Sequence, residues 1–329
     1  MKRRIKSLLG LALLAALLGA GWLAWYAWRP MTPAVLPTTL NVTPGTTLRG
    51  LAAMLQREGV TDHPFAFRLL GRLTGKGGAL KAGVYVLEQP LSPLALYGKL
   101  ERGEVSQAAV QFIEGWSLRE VRGALAAQPL LRSDSAALSE AELAQAIGAD
   151  QPRLEGLLFP DTYFYAPHAS DLGVLRRAYR LQREKLLAAW ETRAPGLPYR
   201  TPYEALIMAS IVEKETGAAF ERPLIAGVFV NRLRLGMRLQ TDPTVIYGLG
   251  TRFDGNLRKI DLQTDTPYNT YTRAGLPPTP IAMPSEAAIR AALNPAQTDA
   301  LYFVSRGDGT HVFSRTLDAH NRAVNRHQR

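Results

Sequence analysis

The chain has 329 residues, with 39 Lys and Arg against 28 Asp and Glu and no cysteine. That length allows about two domains with real cores, and the missing cysteine excludes disulfides, thiolate metal sites, cysteine nucleophiles and a lipidated N-terminal cysteine. The net charge of +11 points to anionic surroundings such as acidic envelope polymers or lipid head groups. Its basic residues are spread out, without aromatic-interleaved patches, zinc-finger spacing or RNP-like motifs, so nucleic acid is not an expected partner.

Lys2, Arg3, Arg4 and Lys6 precede an uncharged run from Leu8 to Trp28. Roughly 20 apolar residues suffice to cross a bilayer as a helix. Trp22, Trp25, Tyr26 and Trp28 crowd its distal end, where an aromatic belt would sit, and offer no small-residue cleavage site. The basic flank favours a cytoplasmic N-terminus, which puts the rest of the chain outside the cytoplasm. We therefore expect a cytoplasmic stub over 1–7, an uncleaved membrane helix over 8–28 and a Pro-containing linker over 29–39.

Leu40–Val60 predicts a short strand, a Pro44-Gly45 turn and a helix capped by Thr47, with apolar positions Leu48, Leu51, Ala52 and Leu55. Val110–Ala127 repeats the pattern in register, Ser117 and Glu120 forming a capping box. Between them Lys81–Leu87 predicts a strand and Pro93–Leu100 a helix. The first unit, Val42 to Leu48, resembles the opening of LysM modules, which bind N-acetylglucosamine-containing glycans. Residues 40–108 are accordingly expected to form a small LysM-like subdomain, and 109–329 a larger domain.

The Ala- and Leu-rich stretch from Leu130 to Gly156 predicts helix. In Leu158–Pro167 the alternation of Asp161, Tyr163 and Tyr165 predicts a strand or cleft wall. Leu172–Thr192 predicts a long amphipathic helix with a solvated basic face. Ala205–Val212 is almost wholly apolar and ends abruptly in Glu213, Lys214, Glu215 and Thr216. Such a run predicts a buried helix that delivers carboxylates into a partly desolvated cleft. Residues two apart lie roughly 200° apart on a helix, so Glu213 and Glu215 cannot share one cleft. Glu215 follows the apolar face of Met208, Ile211 and Val212, and it is the expected acid. Glu213 is left for ion pairing or for positioning at the substrate.

A helix is expected from Pro223 to Leu235, and then two polar, aromatic, poorly helical segments follow. Gly236–Gly250 presents Gln240, Thr241, Asp242, Thr244 and Tyr247, with Thr241-Asp242-Pro243 reading as a turn. Asp265–Ser285 presents Tyr268, Asn269, Thr270 and Tyr271. Aromatic faces with amides and hydroxyls suit a sugar groove. Arg306-Gly307-Asp308-Gly309 predicts a hairpin between LYFVS and HVFSR. His311 and His320 show neither HExxH spacing nor a matched partner, so no metal and no cofactor is expected.

The runs ASIVEKETG, NRLRLGMRLQTDPTVIYGLG and DTPYNTYTRAGLPPTPI, beginning at Ala209, Asn231 and Asp265, resemble the signature of the membrane-anchored endolytic murein transglycosylases, the YceG-like family. The similarity spans nearly the whole chain. It implies an α+β architecture behind one N-terminal transmembrane helix, with a LysM-like subdomain and a mixed catalytic domain containing a buried glutamate-bearing helix. The family's catalytic acid, the glutamate directly before the threonine of EKET, corresponds to Glu215. The substrate-binding set is expected to be Glu213, Gln240, Thr241, Asp242, Tyr247, Tyr268, Asn269, Thr270 and Tyr271. The resemblance further implies cleavage of MurNAc–GlcNAc β-1,4 bonds within nascent peptidoglycan strands, leaving 1,6-anhydro ends and ending strand elongation. It implies an inner-membrane location with a periplasmic catalytic domain, and penicillin-binding synthases as partners. Two alternatives stay open: a hydrolytic muramidase using Asp242 as second carboxylate, and a non-catalytic envelope scaffold.

Overall fold

The computed structural model describes residues 2–43, 45–78, 80–106 and 108–327, with the side chains of residues 2–9 left aside. Pro44 of the expected turn and the side chains of Lys2, Arg3, Arg4 and Lys6 lie outside the described residues. The architecture is mixed α/β, and the chain divides into two compact units that meet in sequence at Ala108 and Ala109.

The first unit begins with α1 (Lys2–Trp28), whose stretch Gly10–Trp28 is long and apolar enough to cross a membrane and is mostly exposed. Next come β1 (Thr38–Val42), α2 (Leu48–Arg57), α3 (Pro64–Leu73), β2 (Gly83–Leu87) and α4 (Pro93–Arg102). β1 and β2 pair antiparallel, Leu40 opposite Tyr85. The alternation of buried Thr38, Leu40 and Val42 with exposed Thr39 and Asn41 turns one face of β1 inward. Thr47 caps α2 by accepting from Gly50 N–H, and Ser92 caps α4 ahead of Pro93. The core gathers Leu40, Leu51, Leu55, Phe67, Tyr85 and Tyr97. Phe67 and Tyr97 stack at 4.4 Å, and the Tyr97 hydroxyl donates to Phe67 O. Tyr26 and Ala27 at the end of α1 belong to the same core. Within residues 29–39, Met31 is buried and donates its N–H to Leu91 O. The apolar helix therefore runs directly into the packed unit.

The second unit contains β3 (Ala108–Gln111), α5 (Leu118–Ala126), α6 (Glu140–Ile147), β4 (Thr162–Tyr165), α7 (Asp171–Glu191), α8 (Pro202–Glu215), α9 (Arg222–Arg234), α10 (Asp242–Leu249), α11 (Lys259–Gln263), α12 (Glu286–Leu293), β5 (Tyr302–Ser305), β6 (His311–Ser314) and α13 (Leu317–His327). α8 is its axis, packed by α7, α9, α10 and α12. Thr201 caps it and Pro202 opens it, positions where a missing N–H costs nothing. Every side chain from Ala205 to Val212 is buried, which a run without a polar face requires. β3 pairs with β4. β5 and β6 form the expected hairpin, with Arg306 N–H bonded to Thr310 O and left-handed Gly307 and Gly309 in the loop.

Three sequence readings are revised here. The Leu130–Gly156 stretch is helical only over α6. Ser139 and Glu142 box its start, and Gly148 ends it in the left-handed region. Ser135 is drawn instead to the Asp171 carboxylate. Of the two readings of Leu158–Pro167 the strand holds, as β4, and the cleft wall does not: Tyr163 and Tyr165 face the core, where their hydroxyls donate to Phe159 O and Gln128 Oε1. Thr241-Asp242-Pro243 opens a helix, α10, because Asp and Pro are first-turn residues as well as turn formers.

Gly156 adopts φ +77, and a Cβ there would lie 2.3 Å from Pro280 Cβ. A side chain would be strained by the backbone and would collide with a rigid ring. Gly156→Ala is expected to lower unfolding free energy by about 3 kcal/mol, read from the urea midpoint at unchanged slope. A loss below about 1 kcal/mol would show that the Pro280 segment yields freely.

Candidate active site

α8 ends on Glu215 because Thr216 turns to extended backbone, φ −145 and ψ 135. The two carboxylates there meet different surroundings. Glu213 is enclosed: it accepts from Ser285 N–H at 2.9 Å and from Ser285 Oγ, and it pairs with Arg222 at 3.2 Å. Both members of that pair are nearly buried, with 6% and 11% of their side chains exposed. Glu215 lines an open cavity of about 520 Å³ instead, together with Arg232, Gln240, Asp242, Tyr271 and His311. β5 and α13 close its far side with Tyr302, His320 and Asn321.

Glu215 accepts a hydrogen bond from the Thr241 hydroxyl. Thr241 is itself fixed from behind. Its N–H donates to Thr270 Oγ1 at 3.1 Å, and its carbonyl accepts from Thr244 Oγ1 at 2.8 Å. Burial first, with the Asp242 carboxylate beside it, brings the Glu215 carboxyl up to about 7 against the lowering effects of Thr241, His311 and Arg232. A carboxyl poised there holds its proton at the edge of the neutral range, as a general acid must.

Arg232, on α9, is buried and organises the loop before α10. Its Nε donates to Leu301 O at 2.6 Å, and its Nη1 to Leu239 O at 2.9 Å, Arg238 O at 3.1 Å and Gln240 Oε1 at 3.3 Å. Gln240 sits at φ 50, a left-handed conformation that only surrounding contacts maintain. Gln240 N–H donates to Thr270 O. Tyr271 donates to Asp242 Oδ1 at 2.6 Å, and burial holds the phenol well above its usual range.

The structure thus gathers Glu215, Gln240, Asp242 and Tyr271 around one cavity, with Thr241 and Thr270 directly behind. It places the remaining expected site residues elsewhere. Asn269 is fully buried and spends its amide on the carbonyls of Asp261, Leu262 and Thr264. Tyr268 bonds Thr279, and Tyr247 donates to Glu155 at 3.1 Å. Glu213 braces the end of α8 through Ser285, the cap of α12. Arg232, Tyr302, His311 and His320 were not singled out by the sequence as site residues. None of them carried a local motif that could have marked it.

The raised carboxyl carries a stability consequence. Below about pH 4.5 Glu215 is protonated in folded and unfolded chains alike and costs nothing. As pH rises to about 7 the unfolded chain ionises while the folded one keeps its proton, so the folded state loses ground. At about 1.4 kcal/mol per tenfold change in proton affinity, the full cost above neutrality is about 3 kcal/mol. Glu215→Gln is therefore expected to match the parent protein's unfolding free energy near pH 4 and exceed it near pH 8. Equal differences at both pH values would refute a carboxyl raised by burial.

A half-enclosed polar cavity with one carboxyl titrating near neutrality defines an acid–base enzyme site. The comparisons with known proteins give it a family. The sequence profile of the YceG-like family matches residues 40–326. An endolytic murein transglycosylase of Bacillus subtilis (strain 168) is 32% identical over 301 residues, which cover 86% of this chain and 83% of that one. A protein of the same name from Streptococcus pneumoniae serotype 2 is 27% identical over 355 residues, 95% of this chain and 63% of the longer relative. The 2.6 Å crystal structure of a YceG-like protein from Listeria monocytogenes is 29% identical, with a TM-score of 0.55 over 86% of this chain and 97% of that one. The chain belongs to the YceG-like family.

Proposed function

We propose that the chain is an endolytic lytic transglycosylase of peptidoglycan that cleaves MurNAc–GlcNAc β-1,4 bonds within glycan strands. The observation that carries this reading is Glu215: one carboxyl, raised by burial, open to a cavity and held by Thr241. The relatives named endolytic murein transglycosylase supply the substrate class. A hydrolytic glycosidase ordinarily needs two working carboxylates, whereas a lytic enzyme manages with one because the substrate brings its own nucleophile. Glu215 protonates the leaving GlcNAc O4 as the muramyl C1–O4 bond breaks. The muramyl C6 hydroxyl closes on C1, giving the 1,6-anhydro sugar, and its proton passes to a base in the cavity. The Glu215 carboxylate formed in the first step is the simplest candidate for that base. Ring closure profits from the high effective concentration of a group on the same sugar.

Gln240, Asp242 and Tyr271 serve as substrate contacts around the scissile bond, and Thr241 and Thr270 position the acid. Glu213, Tyr247, Tyr268 and Asn269 support the loops that carry these groups. α1 anchors the protein in the inner membrane with its N-terminus cytoplasmic. Residues 40–108 act as a LysM-like spacer or glycan contact, and residues 109–329 are the periplasmic catalytic domain. Cutting nascent strands there would end their elongation beside penicillin-binding synthases.

Asp242 lines the same cavity, and this supports a second reading as a hydrolytic muramidase. Digesting purified peptidoglycan with the full chain in detergent, and reading the sugar ends by mass spectrometry, separates the two. Internal products with 1,6-anhydro-muramyl ends are expected. Reducing muramyl ends would establish the hydrolase and make Asp242 its base, and no products at all would leave a scaffold.

A further inference from the structure

The mechanism above leaves one well-built group of the cavity without a task. His311, the first residue of β6, is gripped twice by Glu221, which lies 90 positions earlier in the turn between α8 and α9. Glu221 Oε1 accepts the His311 backbone N–H at 3.0 Å, and Oε2 stands 2.7 Å from Nδ1. Glu221 is buried, with 7% of its side chain exposed, so the contact is sheltered from solvent. A carboxylate at Nδ1 fixes the proton on that nitrogen and leaves Nε2 with its lone pair. Nε2 makes no hydrogen bond among the described residues, and the ring lines the cavity that holds Glu215. Phe303 packs edge-on against the imidazole at 5.4 Å and limits its swing.

We infer that His311, oriented by Glu221, is the base that receives the muramyl C6 proton, while Glu215 serves as the acid. The inference rests on the lytic reading. In the step, Glu215 gives its proton to the leaving O4 and the C1–O4 bond breaks. O6 forms its bond to C1 and releases its proton to His311 Nε2. The imidazolium, stabilised by the Glu221 carboxylate, then returns a proton to Glu215 through solvent. Nothing is oxidised or reduced, and no co-reactant is required. Separating the two roles lets one residue be protonated and the other unprotonated at the start of each cycle. His311 is the catalytic residue and Glu221 the positioning residue.

Charged and titratable groups that share the cavity with His311 are Glu215, Arg232, Asp242, Tyr271, Tyr302 and His320, with Glu221 against its Nδ1. The test is therefore a kcat–pH profile of the full chain in detergent on peptidoglycan strands, with folding checked by circular dichroism. The parent profile is expected to be bell-shaped. His311→Gln should lower kcat about 10²-fold with little change in KM and should lose the acidic limb. Added imidazole should restore part of the rate of His311→Gly. Glu221→Gln should lower kcat about tenfold with little change in KM, because the imidazole loses the group that fixes its tautomer and orientation; this variant decides the matter if the His311 replacements fail to fold. A kcat within about twofold of the parent's in His311→Gln and Glu221→Gln, with anhydro ends still formed, would overturn His311's role alone. Reducing muramyl ends from the parent protein would overturn the lytic reading, and the C6 assignment with it.

Discussion

Glu215→Gln is expected to lower the rate of strand cleavage by about 10³-fold or more while leaving the fold intact, since the acid is needed in every turnover. The amide keeps the size of the carboxyl and can still accept from Thr241, so the cavity should retain its shape. Binding of glycan strands should accordingly persist, and the loss should fall on kcat. Glu215→Asp withdraws the acid by one methylene and is expected to cost about 10²-fold, the scale of a misplacement of about 1 Å. Mass spectrometry of product ends measures both. A Glu215→Gln protein that cleaves within about tenfold of the parent would place the acid elsewhere.

Arg232→Met is expected to produce the largest loss of stability of any single change at the site, about 4 kcal/mol. The substitution fills space similarly but leaves the buried carbonyl of Leu239, and the part-buried bonds to Leu301 and Arg238, without a donor. Arg232 also lies over the Tyr302 ring at 5.0 Å, so β5 loses a partner as well. With Gln240 no longer held at its left-handed backbone, Thr241 would drift from Glu215, and activity should fall with stability. Because Arg232 lowers the Glu215 carboxyl, whatever activity remains should extend to higher pH. Lysine should not rescue, since one ammonium cannot reproduce the fork that reaches three carbonyls. Denaturant unfolding provides the measurement, and a loss below about 1 kcal/mol would remove Arg232 from its organising role.

How much of this was legible in the sequence follows from how far each interaction reaches along the chain. Local signals read well. The unbroken apolar run of α8, the Ser117–Glu120 box of α5 and the glycine-rich turn between β5 and β6 each carry their own geometry within a few residues. The angular argument separating Glu213 from Glu215 is also local, and the two carboxylates do meet different surroundings. What lay outside the reading depends on distant partners. Ser285 encloses Glu213 from 72 positions away and Glu221 grips His311 from 90, and neither pairing leaves a period or a motif. Composition misled in the Asp265–Ser285 segment, because a buried amide such as Asn269 and a sugar-binding amide look alike until burial is known.

The end of α8 has an implication for anyone selecting variants of this protein. Glu215 stands where the helix carbonyls point and in a half-enclosed cavity, both of which disfavour its charge. At neutral pH the folded chain is thus held below its attainable stability by one side chain. A laboratory selection for heat resistance alone, run near pH 8, should enrich neutral replacements at position 215 early, and the surviving pool would be robust and inert. Pairing that selection with a cell-wall cleavage screen should instead push the gains into the surroundings of α8, leaving its last residue alone.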